Sequence, residues 1–299
     1  MPSLEQPLRE RIESLAQRWN VPGVVAGLDL AGETFFVCRG VTHASHPLPV
    51  DPDTLFQIAS NSKPFTATLV LQLVAEGAVD LDDPVRKHLP EFGALDPRYA
   101  DAVTVRHLLC HRVGLDGDAL FVRQPDPPRL ESVCAALARA RPLVPPGGHW
   151  TYCNAGFSVA GRLVETLRGQ PFDAVLRERI LAPLGMGRSC TRADEAIFHR
   201  VAMRHFAVPG HDPIPLHSGG WQRGWELAPV DTPAGGCCRA LPISCVGCAS
   251  GSGATTRKRM RRSTPRRERS PSRTRSRPGI HSRGMRSAGL CAAIRRRAS

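Results

Sequence analysis

The sequence predicts an α+β fold: one antiparallel hairpin, a longer run of helices, and a basic C-terminal appendage. Three observations carry this reading. A helical stretch is followed at once by two β-rich runs joined at a glycine turn. A series of helical segments, punctuated by proline-rich loops, then fills most of the chain. Near residue 237 the composition changes abruptly to arginine, serine and proline.

Each element has its own signal. Residues 4–19 read as an amphipathic helix, because Leu8, Ile12, Leu15 and Ala16 recur at helical spacing. Residues 21–30 and 34–41 read as strands joined at Ala31-Gly32-Glu33. Leu55 to Ala59 is a short apolar approach to Ser60. Residues 64–75 read as a buried helix, its apolar run continuing to Ala78, with Phe65, Leu69, Val70, Leu73 and Val74 on the core side. Pro64 costs little there, since first-turn N–H groups lack intrahelical partners. Residues 103–110, 130–140, 157–168 and 172–180 read as further helices. Proline-rich loops at 48–52, 125–128 and 142–146 separate them.

Ser60-Asn61-Ser62-Lys63 carries the strongest chemical signal. Helical Ser-x-x-Lys spacing puts both side chains on one face, one turn apart. A serine hydroxyl is a poor nucleophile without a neighbouring base. Lysine serves as one where its neutral form is favoured, whereas arginine stays charged. Only three of the 40 basic residues are lysines (Lys63, Lys87 and Lys258), so this one stands out. Ser60 would lie at a helix N-terminus, where the dipole favours developing negative charge.

A second cluster lies in Pro146-Gly147-Gly148-His149-Trp150-Thr151-Tyr152-Cys153-Asn154-Ala155-Gly156-Phe157. Tyr152 and Asn154 are two apart, so in extended or loop geometry both can face one cleft. A phenol can exchange protons with a serine and a leaving group, and an amide can orient a lysine and hold a substrate carbonyl. The one other tyrosine is Tyr99.

Together the two clusters resemble the serine β-lactamase and penicillin-binding-protein superfamily, nearest its class C β-lactamase-like branch of esterases and D-aminopeptidases. That family's first motif is Ser-x-x-Lys and its second Tyr-x-Asn. His107-Leu108-Leu109-Cys110-His111-Arg112-Val113-Gly114-Leu115 is similar to the family's His-Leu-Leu-Thr-His-Thr-Ser-Gly-Leu, with Cys110, Arg112 and Val113 as departures. Pro171-Phe172, Pro183-Leu184-Gly185-Met186 and Pro233-Ala234-Gly235-Gly236 match later landmarks in order. The resemblance spans roughly residues 5–236. It implies an α/β sandwich, a β-lactamase-like antiparallel sheet with a helical lobe inserted.

The resemblance also implies roles. Ser60 is the nucleophile, Lys63 and Tyr152 share the general-base role, and Tyr152 returns a proton to the leaving group. Asn154 binds substrate and orients Lys63. The reaction is hydrolysis of an ester, amide or lactam through an acyl-enzyme, with no cofactor and no metal. His111 reads as a scaffold hydrogen-bonder.

After Gly236 the family continues with a helix, strands and a third motif, His-Thr-Gly or Lys-Thr-Gly, which supplies part of the oxyanion hole. Here Cys237-Cys238-Arg239 opens a different text, leaving the sheet incomplete. Residues 237–299 hold 17 of the 40 basic and one of the 27 acidic side chains. The first 236 hold 23 and 26, a net of −3, so the overall +13 belongs to the tail. Two readings of 237–299 stand. With GC-rich codons for 236–250, a one-base shift gives Leu-Leu-Ser-Arg-Ala-Ala-Asp-Leu-Val-Arg-Trp-Val-Arg-Phe, an amphipathic helix like the family's, so a frameshift at about Gly236 explains the seam. The other reading is a disordered Arg/Ser-rich tail on a non-catalytic remnant or binding protein that contacts nucleic acid or acidic membrane. His217-Ser218-Gly219 mimics the third motif but precedes Pro233-Ala234-Gly235-Gly236, the wrong order.

A near-neutral body with a basic appendage gives no reason to expect a specific nucleic acid or membrane partner. The expected partner is a small-molecule ester, amide or lactam. No run is long and apolar enough to span a membrane, and the first residues lack a signal peptide's basic and apolar regions. Five widely spaced cysteines before the seam point to reduced thiols and a cytoplasmic location. Cys245-Val246-Gly247-Cys248 lacks a second well-spaced ligand pair for zinc. With the third motif lost, the chain is predicted to be a weak or inactive enzyme and poorly soluble.

Overall fold

A computed structural model describes residues 4–30, 33–93, 96–116, 128–206, 211–216 and 228–239. Helix α1 (Glu5–Arg18) leads into strands β1 (Gly23–Leu30) and β2 (Glu33–Gly40). They pair antiparallel, Gly23 opposite Gly40 and Leu30 opposite Glu33. The strand starts at Gly23 rather than at residue 21 because Pro22 has no N–H to give the ladder. Its carbonyl instead accepts the Val41 N–H at 2.7 Å. Among the described residues no third strand joins this hairpin.

The chain then forms β3 (Phe56–Gln57), a tight turn at Ala59–Ser62, and α2 (Lys63–Ala75). The helix stops at Ala75, not Ala78, because Gly77 takes a left-handed φ of 75°. The Gly77 N–H bonds to Val74 O and the Ala78 N–H to Leu73 O, which satisfies the last carbonyls. Two short helices without a clear sequence signal follow, α3 (Val85–His88) and α4 (Pro97–Ala102). Next come α5 (Val105–Leu109) and α6 (Val133–Leu137), both shorter than the spacing predicts. Downstream of α6, Pro142 disfavours a helical Arg141.

Helix α7 (Asn154–Arg168) begins three residues earlier than expected. Cys153 is extended, and its Sγ accepts the Gly156 N–H at the new N-terminus. Helix α8 (Phe172–Leu176) runs into a wider turn at Arg177–Leu181 that completes the predicted 172–180 segment. The remaining elements are short: β4 (Ser189–Cys190), α9 (Ala193–Ala196), β5 (His205–Phe206), β6 (Ile214–Pro215), α10 (Thr232–Gly235) and β7 (Cys238–Arg239). Strand β7 lies between β3 and β4, antiparallel to both. Helices α2 and α7 form the spine of the core, burying Leu69, Val70, Leu73, Val159, Leu163 and Val164. Each such side chain contributes about 1.5–3 kcal/mol by leaving water.

Residues 125–127 of the expected loop at 125–128, the decoy His217-Ser218-Gly219 and everything beyond Arg239, Cys245 and Cys248 included, lie outside the described residues. Among the described residues Cys38, Cys110, Cys134, Cys153, Cys190 and Cys237 form no disulfide. No described helix is long and apolar enough to cross a membrane.

Candidate active site

Ser60 and Lys63 share the junction between the tight turn and α2. The turn is a 3₁₀ helix, in which side chains at i and i+3 eclipse. That geometry brings Lys63 Nζ to 3.1 Å from Ser60 Oγ. Ala59, just before the serine, takes a left-handed φ of 45°. Such a conformation costs a non-glycine residue about 1–3 kcal/mol, and here it turns the chain sharply into α2. The turn is held from within: Ser62 Oγ donates to Ala59 O at 2.7 Å and accepts the Cys237 N–H at 3.1 Å.

Ser60 is exposed, while Lys63 is only 5% exposed. A buried ammonium needs acceptors, and Lys63 Nζ has three. Besides Ser60 Oγ, they are Asn154 Oδ1 at 2.8 Å and Ala234 O at 2.7 Å. Asn154 and Ala234 can use two N–H bonds of either an ammonium or a neutral amine. The third position therefore faces Ser60 Oγ in both states, as an N–H or as a lone pair. Lys63 Nζ also lies 4.8 Å from the centre of the Tyr152 ring.

Tyr152 comes from the loop before α7, and its Oη donates to Ser60 Oγ at 2.7 Å. Asn154 sits in the first turn of α7. The expected extended or loop geometry thus holds for Tyr152, which lies in a loop, and not for Asn154, yet both reach the same point. All four residues singled out by spacing, Ser60, Lys63, Tyr152 and Asn154, converge there.

The sequence reading missed Ala234. Its carbonyl is a backbone group, so no side-chain type announces it; the one signal was the recurrent Pro-Ala-Gly-Gly turn. Thr66 Oγ1 donates to Pro233 O at 2.7 Å and Ile58 N–H to Cys237 O at 3.1 Å, which dock the turn against α2. His111 makes scaffold contacts, its Nδ1 accepting the Cys153 N–H at 3.0 Å. Burial, and then the Lys63 charge, hold its pKa below the ordinary histidine value.

Chemistry and not volume locates this site. A cavity of about 900 Å³ lies elsewhere, lined by Arg162, Glu165, Arg192 and Asp194 among others and by none of the four convergent residues. Four of its charged side chains pair within the lining, Arg192 with Asp194 and Arg162 with Glu165. Among the described residues no cluster of His, Cys, Asp or Glu is placed to hold a metal ion.

This fold, with a serine in hydrogen-bond reach of both a buried lysine and a tyrosine, defines a β-lactamase-like protein. The chain belongs to the Beta-lactamase family, whose profile matches residues 8–289, a span running past Gly236. It is 36% identical to Penicillin-binding protein 4 of Amycolatopsis lactamdurans, over 74% of this chain and 56% of that protein. Identity to Esterase EstB of Burkholderia gladioli is 35%, over 71% of this chain and 54% of that one. The chain thus spans about half the length of these relatives. The solved structure of a class C beta-lactamase superposes with a TM-score of 0.65 at 23% identity, covering 79% of this chain and 61% of that one.

Proposed function

We propose that the Ser60 site performs acyl transfer to water on an ester, amide or lactam, through an acyl-enzyme. One observation carries the reading: Ser60 is exposed, and its Oγ lies within hydrogen-bond distance of both Tyr152 Oη and the Nζ of a buried Lys63 that has three acceptors. Ser60 Oγ attacks the substrate carbonyl, and its proton passes to the Lys63–Tyr152 pair. Collapse of the tetrahedral intermediate expels the leaving group, which Tyr152 protonates. Water then cleaves the acyl-enzyme and frees Ser60. Asn154 holds Lys63 and the substrate carbonyl. The relatives' names, an esterase and a penicillin-binding protein, fit one acyl-enzyme chemistry applied to different acyl donors. The proposed compartment is the cytoplasm, supported by the widely spaced cysteines before Gly236.

The oxyanion would rest on the Ser60 N–H and a second donor that the family takes from the third-motif strand. We propose that residues 237–299 replace that strand through a frameshift at about Gly236, leaving a truncated hydrolase domain over 1–236 with impaired turnover. Losing one oxyanion donor costs on the order of 100- to 1000-fold in kcat.

Labelling with a fluorophosphonate or β-lactam probe tests the site, since acylation needs a single event. The probe should modify Ser60, and Ser60→Ala should abolish the label. Lys63→Arg should nearly abolish it, because arginine keeps the charge but gives up no proton. Label that persists in Ser60→Ala removes this serine from the mechanism.

A further inference from the structure

His111 is bonded to the residues on both sides of Tyr152. Its carbonyl accepts the Thr151 N–H at 2.9 Å, and its Nδ1 accepts the Cys153 N–H at 3.0 Å. Its ring stacks on the Tyr152 ring, with centroids 4.5 Å apart and planes inclined by 25°. Phe157 and Trp150 flank the imidazole at 5.2 and 5.8 Å. The His111 backbone is left-handed, with φ 58°. An L side chain adopts that conformation at a cost of about 1–2 kcal/mol. The residue that carries this strain places two hydrogen bonds and one ring stack on the three consecutive residues 151–153.

We propose that His111 is a positioning residue that aims the Tyr152 hydroxyl at Ser60, through the ring stack and the two flanking hydrogen bonds. The inference rests on the proton-transfer role proposed for Tyr152. At 40% exposure Tyr152 has little burial to restrain it, so its ring direction must be set by a neighbour. The stack restrains the ring plane, and the paired N–H bonds fix the backbone from which it projects. Cys153 also precedes the first turn of α7, so the same bond sets where Asn154 begins. His111 is not itself placed as the base. Its Nδ1 is occupied by the Cys153 N–H, and the side-chain partners of Ser60 Oγ are Tyr152 and Lys63. To accept that N–H, Nδ1 must be unprotonated, a state favoured by burial and by the Lys63 charge.

Two variants separate the contacts. His111→Asn tolerates the left-handed backbone and can present Oδ1 where Nδ1 was, so it removes the ring contacts and keeps the acceptor. His111→Phe keeps a ring and removes the acceptor. In the 299-residue chain each should slow fluorophosphonate labelling of Ser60 by about tenfold or more, as small misplacements of a reacting group do. Neither should slow it further in a Tyr152→Phe background, because the effect runs through Tyr152. Unchanged rates, or equal slowing with and without Tyr152, overturn the proposal. A second measurement holds even if the parent chain is never labelled, which would sink the hydrolase reading instead. The chain has two tyrosines, so ¹³C-tyrosine labelling gives two sets of ring signals, assigned with Tyr152→Phe. His111→Asn should shift the Tyr152 set and leave Tyr99 in place. A Tyr152 set that does not move shows that His111 does not position it.

Discussion

At the scale of single residues, Lys63 shows which part of the site the amino-acid order could announce. Ser60 and Lys63 are legible because i, i+3 side chains meet in any helical geometry, 3₁₀ included. Tyr152 and Asn154 are legible as a pair, though their meeting with Ser60 needs a fold that brings together residues 92 positions apart. The Ala234 carbonyl was not legible, since every residue has one. Asn154 gives the residue-level prediction. Its Oδ1 is one of three acceptors on a buried lysine, and a hydrogen bond to a charged group is worth about 1.5–3 kcal/mol. Asn154→Leu should destabilise the fold by that order and slow Ser60 labelling. A melting temperature and labelling rate equal to the parent's would show that Lys63 does not need this partner.

Among elements, α7 and the Pro233–Ala234 turn are coupled through a glycine. A Cβ at Gly161 would lie 2.2 Å from Pro233 Cγ and 2.8 Å from its Cβ, so one must move, and a proline ring has little freedom to do so. Gly161→Ala gains about 1 kcal/mol of helix propensity. Overpacking a tight contact costs about 1–3 kcal/mol, and it would displace the neighbouring Ala234 carbonyl from Lys63. The clash should win: the variant should melt lower and acylate more slowly. A higher melting temperature with unchanged labelling would show that the turn gives way freely. Nothing in the sequence marks Gly161 as a contact, because a glycine inside a helix pattern reads only as a weak position. Gly77 was likewise unread, although its left-handed φ decides where α2 stops.

For the molecule as a whole, two histidines tie stability to pH. Burial, the largest cause for both, holds the pKa values of His107 and His111 below the ordinary 6.5. The unfolded chain then binds protons at a pH where the folded chain still resists them. Their contribution is complete above the unfolded value and is lost as pH falls through the lower folded values. The urea midpoint should therefore drop as pH goes from about 7 to about 5, and less in His107→Gln than in the parent. A drop of equal size in both would clear His107 of a part in it. The β1–β2 hairpin supplies the second prediction at this scale. Among the described residues its edges carry no further strand, and an isolated two-stranded hairpin is marginal in water. Restoring the alternative frame after Gly236 should bring back a His-Thr-Gly-like strand, soluble expression and turnover on p-nitrophenyl esters. A 299-residue chain already monomeric and fully active on those esters would reject the frameshift.

The sequence by itself determined the family, the α+β plan and the four side chains at the site, because periodicity and short motifs are local properties of the chain. The charge change near residue 237 was equally local and equally legible. Only the tertiary structure decided what surrounds those four side chains. Docking of the 233–237 turn on α2 put a backbone carbonyl on Lys63, and packing of residues 107–115 beneath the 150–154 loop put His111 under Tyr152. Both are long-range contacts made through main-chain atoms and ring faces. Such contacts depend on which surfaces the folded core brings together, and no residue spacing encodes them.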